Sequence, residues 1–117
     1  MSPDDPIAHV AIDIEGRFLE FDAGAEHVFG HRADQVIGQP MAQIIVPEPL
    51  RQWHNAGMQR YLETGEEFLV GRTVHIIALH ADGSDFPIEI SITKRSDDPV
   101  VFAATITRVA DSTEGSQ

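Results

Sequence analysis

A change in hydrophobic period near residue 65 constrains the fold more than any other feature of this chain. Between Glu48 and Thr64 the less polar residues recur every three or four positions and form one helical stripe, which consists of Leu50, Trp53, His54, Gly57, Met58, Tyr61 and Leu62. Beyond Gly65 the period falls to two, and apolar residues alternate with polar ones from Phe86 to Thr93. The sequence therefore predicts one long amphipathic helix followed by β-strands.

Turn residues divide the rest of the chain into short elements. The predicted strands are 7–13, 17–21, 69–81, 86–93 and 100–109, and the turn at 96–99 separates the last two. The predicted short helices are 23–29, 33–37 and 41–46. Asp22 is a candidate N-cap for the first of these helices, and Gly30 is its predicted stop. The order is therefore two strands, several small helices, the long helix and three strands.

This order leaves one economical way to bury the helical stripe, which is to pack it against one face of a five-stranded antiparallel sheet. The predicted fold class is α+β. Strand parity selects the sheet residues on that face, and with the residues opposite them they form the candidate ligand-binding site: His54, Met58, Leu69, Val74, Ile76, Ile88, Ile90, Ile92, Phe102, Ala104 and Ile106. Such a lining suits a hydrophobic or haem-like ligand better than a charged metabolite, unless its own side chains fill the space.

Composition narrows the classes of function. The chain has 117 residues and a net charge of −11, which repels phosphate backbones, so we expect no nucleic-acid partner. No apolar run approaches the roughly 20 residues of a membrane span, and the amino terminus lacks the features of a secretory signal. We therefore expect no membrane association and a cytoplasmic location. One domain is expected over 7–109, with 1–6 an N-terminal linker stub and 110–117 a C-terminal linker or tail.

No constellation of residues indicates catalysis or a metal site. His27 and His31 have the spacing of helical metal ligands, but Gly30 interrupts the helix between them and no third ligand is close in sequence. His75 and His80 fall on opposite faces of one strand. The acidic residues show no spacing that dictates an acid and base pair, and there is no nucleophile elbow or phosphate-binding loop. We expect that this chain is not an enzyme.

Three stretches of the sequence carry a family resemblance. They are DIEGRFLEF at 13–21, VIGQP at 36–40 and DGSDFPIE at 82–89. In this order and spacing the chain resembles, from about Ile7 to Val109, a PAS domain, a small sensory module found in bacterial sensor kinases, cyclases and transcription regulators. The resemblance implies the PAS fold, with its five-stranded antiparallel sheet, and sensing rather than catalysis.

The resemblance also implies a role in signalling. A PAS module of this kind would bind a small apolar ligand or cofactor between the long helix and the sheet. It would relay the signal to an effector, such as a histidine kinase of a two-component system or a transcription-regulator domain. The alternative is a ligand-free dimerisation or partner-docking module. A homodimer is expected, and Val101, Ala103 and Thr105 on the outer face of the sheet are candidates for its contact.

The absence of cysteine limits the cofactors that the resemblance allows. In the PAS family, flavin photosensors form their adduct with a cysteine, and coumarate photosensors attach the chromophore through one. A covalent flavin adduct and a cysteine-linked chromophore are therefore excluded. Haem, another non-covalent ligand, or no ligand at all remain as alternatives.

The helix that contains His54 is also similar to the corresponding helix of haem-based oxygen-sensor kinases. In those proteins the histidine that aligns with His54 is the proximal ligand of the iron, so His54 is the metal ligand here if haem is bound. The position of their distal arginine is taken by Val74, so the group that stabilises bound oxygen in the family's manner is missing. The other interpretation of His54 is a partly buried core residue without a ligand.

Overall fold

The sheet and helices occur in the order that the periodicity predicts. The computed structural model describes residues 6–64 and 71–109, and it describes only the backbone at 57, 58, 61, 62 and 64. The strands are β1 (Ile7–Asp13), β2 (Phe18–Phe21), β3 (Thr73–Leu79), β4 (Asp85–Asp97) and β5 (Val100–Arg108). The helices are α1 (Ala23–Phe29), α2 (Ala33–Val36), α3 (Met41–Ile45) and α4 (Arg51–Thr64), with a 3-10 turn over Glu48–Leu50. No helix in the described part of the chain is long and apolar enough to span a membrane.

The five strands form one antiparallel sheet in the order β2-β1-β5-β4-β3. The predicted fold class is therefore confirmed. The predicted domain limits stay predictions, because 1–5 and 110–117 lie outside the described residues. Residues 69–70, at the predicted start of the third strand, also lie outside the described residues. Among the described residues this strand covers Thr73–Leu79 and not 71–81, and at its end the Ala81 N–H donates to the Phe29 carbonyl of α1 instead of to a strand.

Several predicted boundaries differ from the structure, most of them by a single residue, and two further differences have a clear local cause. The fourth strand continues past 93 to Asp97, because a β-bulge between Lys94 and Ser96 lets this polar stretch stay paired with β5. The turn is therefore limited to Asp98-Pro99 rather than 96–99. The long helix begins with a 3-10 turn that contains Pro49, a residue without the N–H group that a longer helical ladder would use.

A chain of aromatic rings joins the sheet to the helices in front of it. The ring centroid of Phe21 is 5.2 Å from that of Phe18 and 6.1 Å from that of Phe29. Phe29 is in turn 5.9 Å from Phe86. Because these side chains come from β2, α1 and β4, the helix α1 connects two strands that lie in different halves of the sheet. Phe29 lies at the centre of this chain and is fully buried.

Asp22 caps α1, as predicted, and also ties it to β1. Its Oδ1 accepts hydrogen bonds from the Ala25 N–H (2.8 Å) and the His9 N–H (2.9 Å), and its Oδ2 lies 2.9 Å from Nδ1 of His9. Partial burial raises the pKa of the Asp22 carboxyl, but these hydrogen bonds outweigh it and hold that pKa below its ordinary value. At the other end of α1, Gly30 has a left-handed φ of 80° and ends the helix, as predicted.

Arg51 sets the orientation of α4. Its Nε donates to the carbonyl oxygens of Ala42 (2.9 Å) and Val46 (3.0 Å), so a cation occupies the carboxyl end of α3. The expectation that the whole apolar stripe of α4 is buried is therefore wrong at its start: Trp53 is 69 % exposed and Leu50 is 38 % exposed. The side of the helix with Arg51 turns inward instead, and His54, one turn later on that side, is half-buried.

Candidate functional site

One face of the sheet, here called the inner face, carries the predicted lining residues of the strands. The register places Ile90 between Val74 on β3 and Ile106 on β5, and places Ile92 opposite Ala104. In the same way Ile76 lies opposite Ile88. Phe102 continues the face on β5. All eight predicted strand residues thus share the inner face, and their role as ligand contacts stays a prediction.

The inner face is filled unevenly. Ile88, Ile90, Phe102 and Ile106 are buried. Val74, Ile92 and Ala104 are only half-buried, although they pack against the same core. Ile76 is 40 % exposed. An apolar part of the inner face, consisting of Val74, Ile76, Ile92 and Ala104, is therefore still accessible.

Of the predicted site residues outside the three strands, His54 on α4 is the one whose side chain the structure describes. Burial of its imidazole lowers the pKa from the ordinary value of 6.5, because desolvation disfavours the charged ring. In the described part of the chain this ring has no hydrogen-bond or ion-pair partner. The side chain of Met58 and the whole of Leu69 lie outside the described residues. At neutral pH the His54 imidazole is therefore uncharged and partly desolvated, and a ring nitrogen is available to bind a ligand.

The lowered pKa of His54 predicts a pH dependence of folding. Because the unfolded chain binds this proton more readily, the free energy of unfolding falls as the pH drops below 6.5 towards the folded-state pKa. Urea denaturation between neutral pH and pH 5 should show a shallower loss of stability for His54→Leu than for the unsubstituted chain. His27→Leu, at an exposed position of α1, should retain the full slope. Equal slopes for His54→Leu and the unsubstituted chain would contradict burial of a neutral imidazole.

The lining predicted from strand parity omits two cationic residues of the inner face. Lys94 follows Ile92 in the alternation and lies opposite Phe102, with its Nζ 2.8 Å from Oδ1 of Asp97. At the other end Arg108 lies opposite Ile88, and its guanidinium carbon is 4.6 Å from the ring centroid of Phe86. Continuing the alternation by one more residue on β4 and β5 would have found both. The inner face is thus apolar in the middle and carries a cationic side chain at each of two ends, and Lys94 is paired with Asp97.

The opposite face of the sheet, the outer face, is polar. Val101, Ala103 and Thr105 lie there, opposite Asp13, Ala11 and His9 of β1. Further along this face, Nε2 of His75 is 3.0 Å from Oε1 of Glu89. His75 is therefore engaged with a carboxylate. The part of the chain that the structure describes has no cluster of three or more metal-ligating side chains.

An ion pair crosses the outer face between two β-bulges. The guanidinium of Arg95 on β4 donates to both carboxylate oxygens of Glu20 on β2, at 3.1 and 2.8 Å. Since β1 and β5 run between these strands, the pair spans them at the level of Ala11 and Ala103. Small side chains at these two positions leave room for it, and Ala11 is buried despite facing outward. The hydrogen bonds to Arg95 lower the pKa of the exposed Glu20 carboxyl.

Comparison with known proteins identifies the family. A family model described as PAS domain matches residues 4–109, nearly the whole chain. The chain therefore belongs to the PAS domain family. It is a sensory domain related to signalling proteins, as the resemblance implied, and PAS domains are generally sensory rather than catalytic modules.

Two relatives are similar over most of this chain. An uncharacterised protein of Azorhizobium caulinodans is 37 % identical over 105 residues, which cover 89 % of this chain and 14 % of the relative. Sensor protein FixL of Bradyrhizobium diazoefficiens is 33 % identical over 87 residues, which cover 74 % of this chain and 17 % of FixL. The chain thus spans less than a fifth of the length of these two proteins.

Solved structures share the fold. The PAS domain of the quorum-sensing receptor RpfR from Cronobacter turicensis, in complex with BDSF, has a TM-score of 0.69 at 14 % identity, over 94 % of this chain and 99 % of that one. A PAS domain from Colwellia psychrerythraea has a TM-score of 0.65 at 27 % identity, over 87 % of this chain and 84 % of that one. The architecture described above is that of these PAS domains.

Proposed function

We propose that this domain senses a small apolar ligand that binds the inner face of the sheet. The observation that carries the proposal is the accessible apolar part of that face, Val74, Ile76, Ile92 and Ala104, beside the buried Ile88, Ile90, Phe102 and Ile106. Accessible apolar surface gains free energy when a hydrophobic ligand covers it. His54 supplies one neutral polar atom that can orient such a ligand.

The charges of the inner face restrict the ligand class. In the middle of the face the described side chains offer no ionised group, so a charged moiety there would lose its hydration without a partner. Lys94 and Arg108 lie only at the ends. The preferred ligand is therefore an uncharged apolar molecule, or one whose charge lies at an end of the apolar body.

Haem is the second candidate, and the state of His54 favours it. A neutral, desolvated imidazole is the donor that haem iron takes, and bound haem would supply a gas-binding or redox-active iron. Metal-bound histidines usually donate their second N–H to a carbonyl or carboxylate, and the described residues provide no such acceptor for His54. Val74 stands where the haem oxygen sensors have an arginine. His54 is suited to bind the iron, but Val74 does not offer the hydrogen bond that would stabilise bound oxygen. Gas or redox sensing by haem is therefore the minor proposal.

A paired substitution tests whether the inner face binds ligand. Ile92→Trp fills the accessible part of the inner face, whereas Thr93→Trp adds the same ring to the exposed outer face one residue later. In titrations with 8-anilinonaphthalene sulfonate, Ile92→Trp should weaken binding at least tenfold and Thr93→Trp should leave it unchanged. Thermal unfolding of each variant checks the fold. Equal binding by both variants would contradict the proposed site and favour a ligand-free docking module.

The haem proposal has a separate readout. After haem titration and removal of unbound haem, the unsubstituted chain should retain a Soret band and His54→Ala should not, while His27→Ala should keep it. An unsubstituted chain that retains no haem after this step would exclude the haem proposal and leave the apolar ligand.

The signalling context completes the proposal. The matched proteins are several times longer than this chain, and one of them is a sensor protein. We infer that the domain acts in the cytoplasm as a homodimer. Its ligand-dependent state would be relayed to an effector such as a histidine kinase or transcription-regulator domain. Neither catalysis nor nucleic-acid binding by this chain forms part of the proposal.

A further inference from the structure

The two edges of the sheet differ in how their backbone groups are satisfied. Along the β2 edge, the Phe18 N–H donates to the Gln39 carbonyl (3.0 Å), and the Phe18 carbonyl accepts from the Gly38 N–H (2.8 Å). The segment after α2 therefore covers the Phe18 end of the β2 edge. The opposite edge of the sheet is β3.

Hydrogen bonds at both ends of β3 define which backbone groups lie on its free edge. The His80 N–H donates to the Ser84 carbonyl, and the Arg72 carbonyl accepts from the Ile92 N–H. In an antiparallel ladder the bonded residues alternate, so the even-numbered residues of β3 bond to β4. The odd-numbered residues therefore direct their N–H and C=O groups away from the sheet; they are Thr73, His75, Ile77 and Leu79. In the described part of the chain none of these groups has a partner.

The side chains of β3 do nothing to block pairing at this edge. Edge strands usually carry charges, a proline or a bulge that prevents association, or are very short. The seven residues of β3, TVHIIAL, include no Asp, Glu, Lys, Arg or Pro. Ile76 on the inner face is 40 % exposed and Ile77 on the outer face is 41 % exposed. A strand added beside β3 would cover both isoleucines and satisfy the free backbone groups.

The outer face is a poorer contact surface than this edge. Its centre is crossed by the Glu20–Arg95 ion pair. Burying this ion pair between two copies costs desolvation free energy that the pair does not recover. Val101, Ala103 and Thr105 therefore lie near this ion pair, whereas β3 contains no Asp, Glu, Lys or Arg.

Symmetry and charge favour a second copy of this chain as the added strand. Only odd-numbered residues are free on β3, so a two-fold antiparallel pairing must pair odd-numbered residues with one another. Of the registers that do so, the one centred on Ile76 overlaps the whole of Thr73–Leu79. The Ile76 centre pairs His75 with Ile77 and sets Arg72 of each copy opposite position 80 of the other, close to Asp82. In a chain of net charge −11, this places opposite charges at both ends of an uncharged strand. Because a two-fold pairing uses the β3 edges of both copies, this contact closes at two copies.

We propose that two copies of this domain associate through antiparallel pairing of their β3 edges, centred on Ile76, to form one ten-stranded sheet. This inference rests on the proposed homodimerisation and names its contact. A single added strand buries an area at the low end of specific interfaces, so we expect a dissociation constant in the micromolar range, below about 0.1 mM.

Proline substitution and charge substitution test the edge by sedimentation. Ile77→Pro removes an N–H that points to the free edge while leaving the ladder to β4 intact, since Ile77 does not bond to β4. It should raise the dimer dissociation constant at least tenfold, as should Ile77→Lys. Thr105→Lys on the outer face should leave that constant within about twofold. Thermal unfolding checks that each variant folds.

Single-cysteine variants test the register, because the chain has no cysteine of its own. At the Ile76 centre the two Cα atoms form a non-hydrogen-bonded pair about 4.5 Å apart, a distance that a disulfide can bridge. Ile76→Cys should therefore oxidise to a covalent dimer in the folded state, and Thr105→Cys should not.

The outcomes separate this contact from homodimerisation itself. A dimer that survives Ile77→Pro and Ile77→Lys but dissociates with Thr105→Lys overturns the edge contact and leaves the homodimer in place. A chain that is monomeric at about 0.5 mM, well above the expected dissociation constant, overturns both. A monomeric chain whose β3 amide signals shift on addition of an extended lysine-rich peptide overturns the second copy as partner in favour of a foreign strand.

Discussion

Replacing Phe29 with alanine is expected to lower the free energy of unfolding by about 3–5 kcal/mol. Phe29 is fully buried and its ring lies between those of Phe21 and Phe86. Alanine removes the ring that joins α1 to two strands and leaves a cavity that its neighbours can close only in part. Because domains of this size have only about 5–15 kcal/mol of stability, this is a large share of the margin.

Urea denaturation at neutral pH measures this loss. Leu19→Ala is the matched control, because Leu19 is 42 % exposed at the β-bulge of β2 and should cost less than about 1 kcal/mol. A loss below about 1 kcal/mol for Phe29→Ala as well would show that α1 is not held through its aromatic contacts.

Gly24→Ala is the second substitution with a large expected effect. In an open helical position, alanine in place of glycine would stabilise the chain by about 1 kcal/mol. At Gly24, however, an added Cβ would collide with the backbone carbonyl of Ile7 on β1, which cannot rotate away as a side chain can. We therefore expect a loss of about 1–3 kcal/mol, the range typical of overpacking.

The two interpretations of Gly24 predict opposite changes in the free energy of unfolding, so the measurement distinguishes them. Thermal or urea unfolding of Gly24→Ala should show a lower stability than the unsubstituted chain. The neighbouring exposed substitution Ala23→Gly should lower it by less than about 1 kcal/mol, through helix propensity alone. A gain in stability for Gly24→Ala would contradict the close approach of α1 to β1.

Much of the fold follows from local sequence patterns. The limits of β1 and α1, and the Asp22 cap, agree with their predictions, because alternation, a side-chain cap and a stop glycine act within a few residues. Strand parity also gave the inner face, since register in a half-buried sheet follows the apolar pattern.

Features that depend on distant residues could not be predicted in this way. The helical pattern alone predicts that Arg51 is a surface residue of α4. Its hydrogen bonds to the carbonyl groups at the end of α3 become apparent only in the folded chain. The Glu20–Arg95 pair joins positions 75 residues apart across two other strands. The exposure of Trp53 and the free edge of β3 likewise depend on how whole elements pack, which periodicity alone does not determine.

The central claim is that an apolar ligand occupies the inner face, and native mass spectrometry tests it most directly. The unsubstituted domain and Ile92→Trp would be measured after purification, and again after incubation with haem and with a total bacterial lipid extract. We predict a species of defined added mass on the unsubstituted domain that is lost on denaturation and much reduced in Ile92→Trp. The polypeptide mass alone under every condition would contradict the claim.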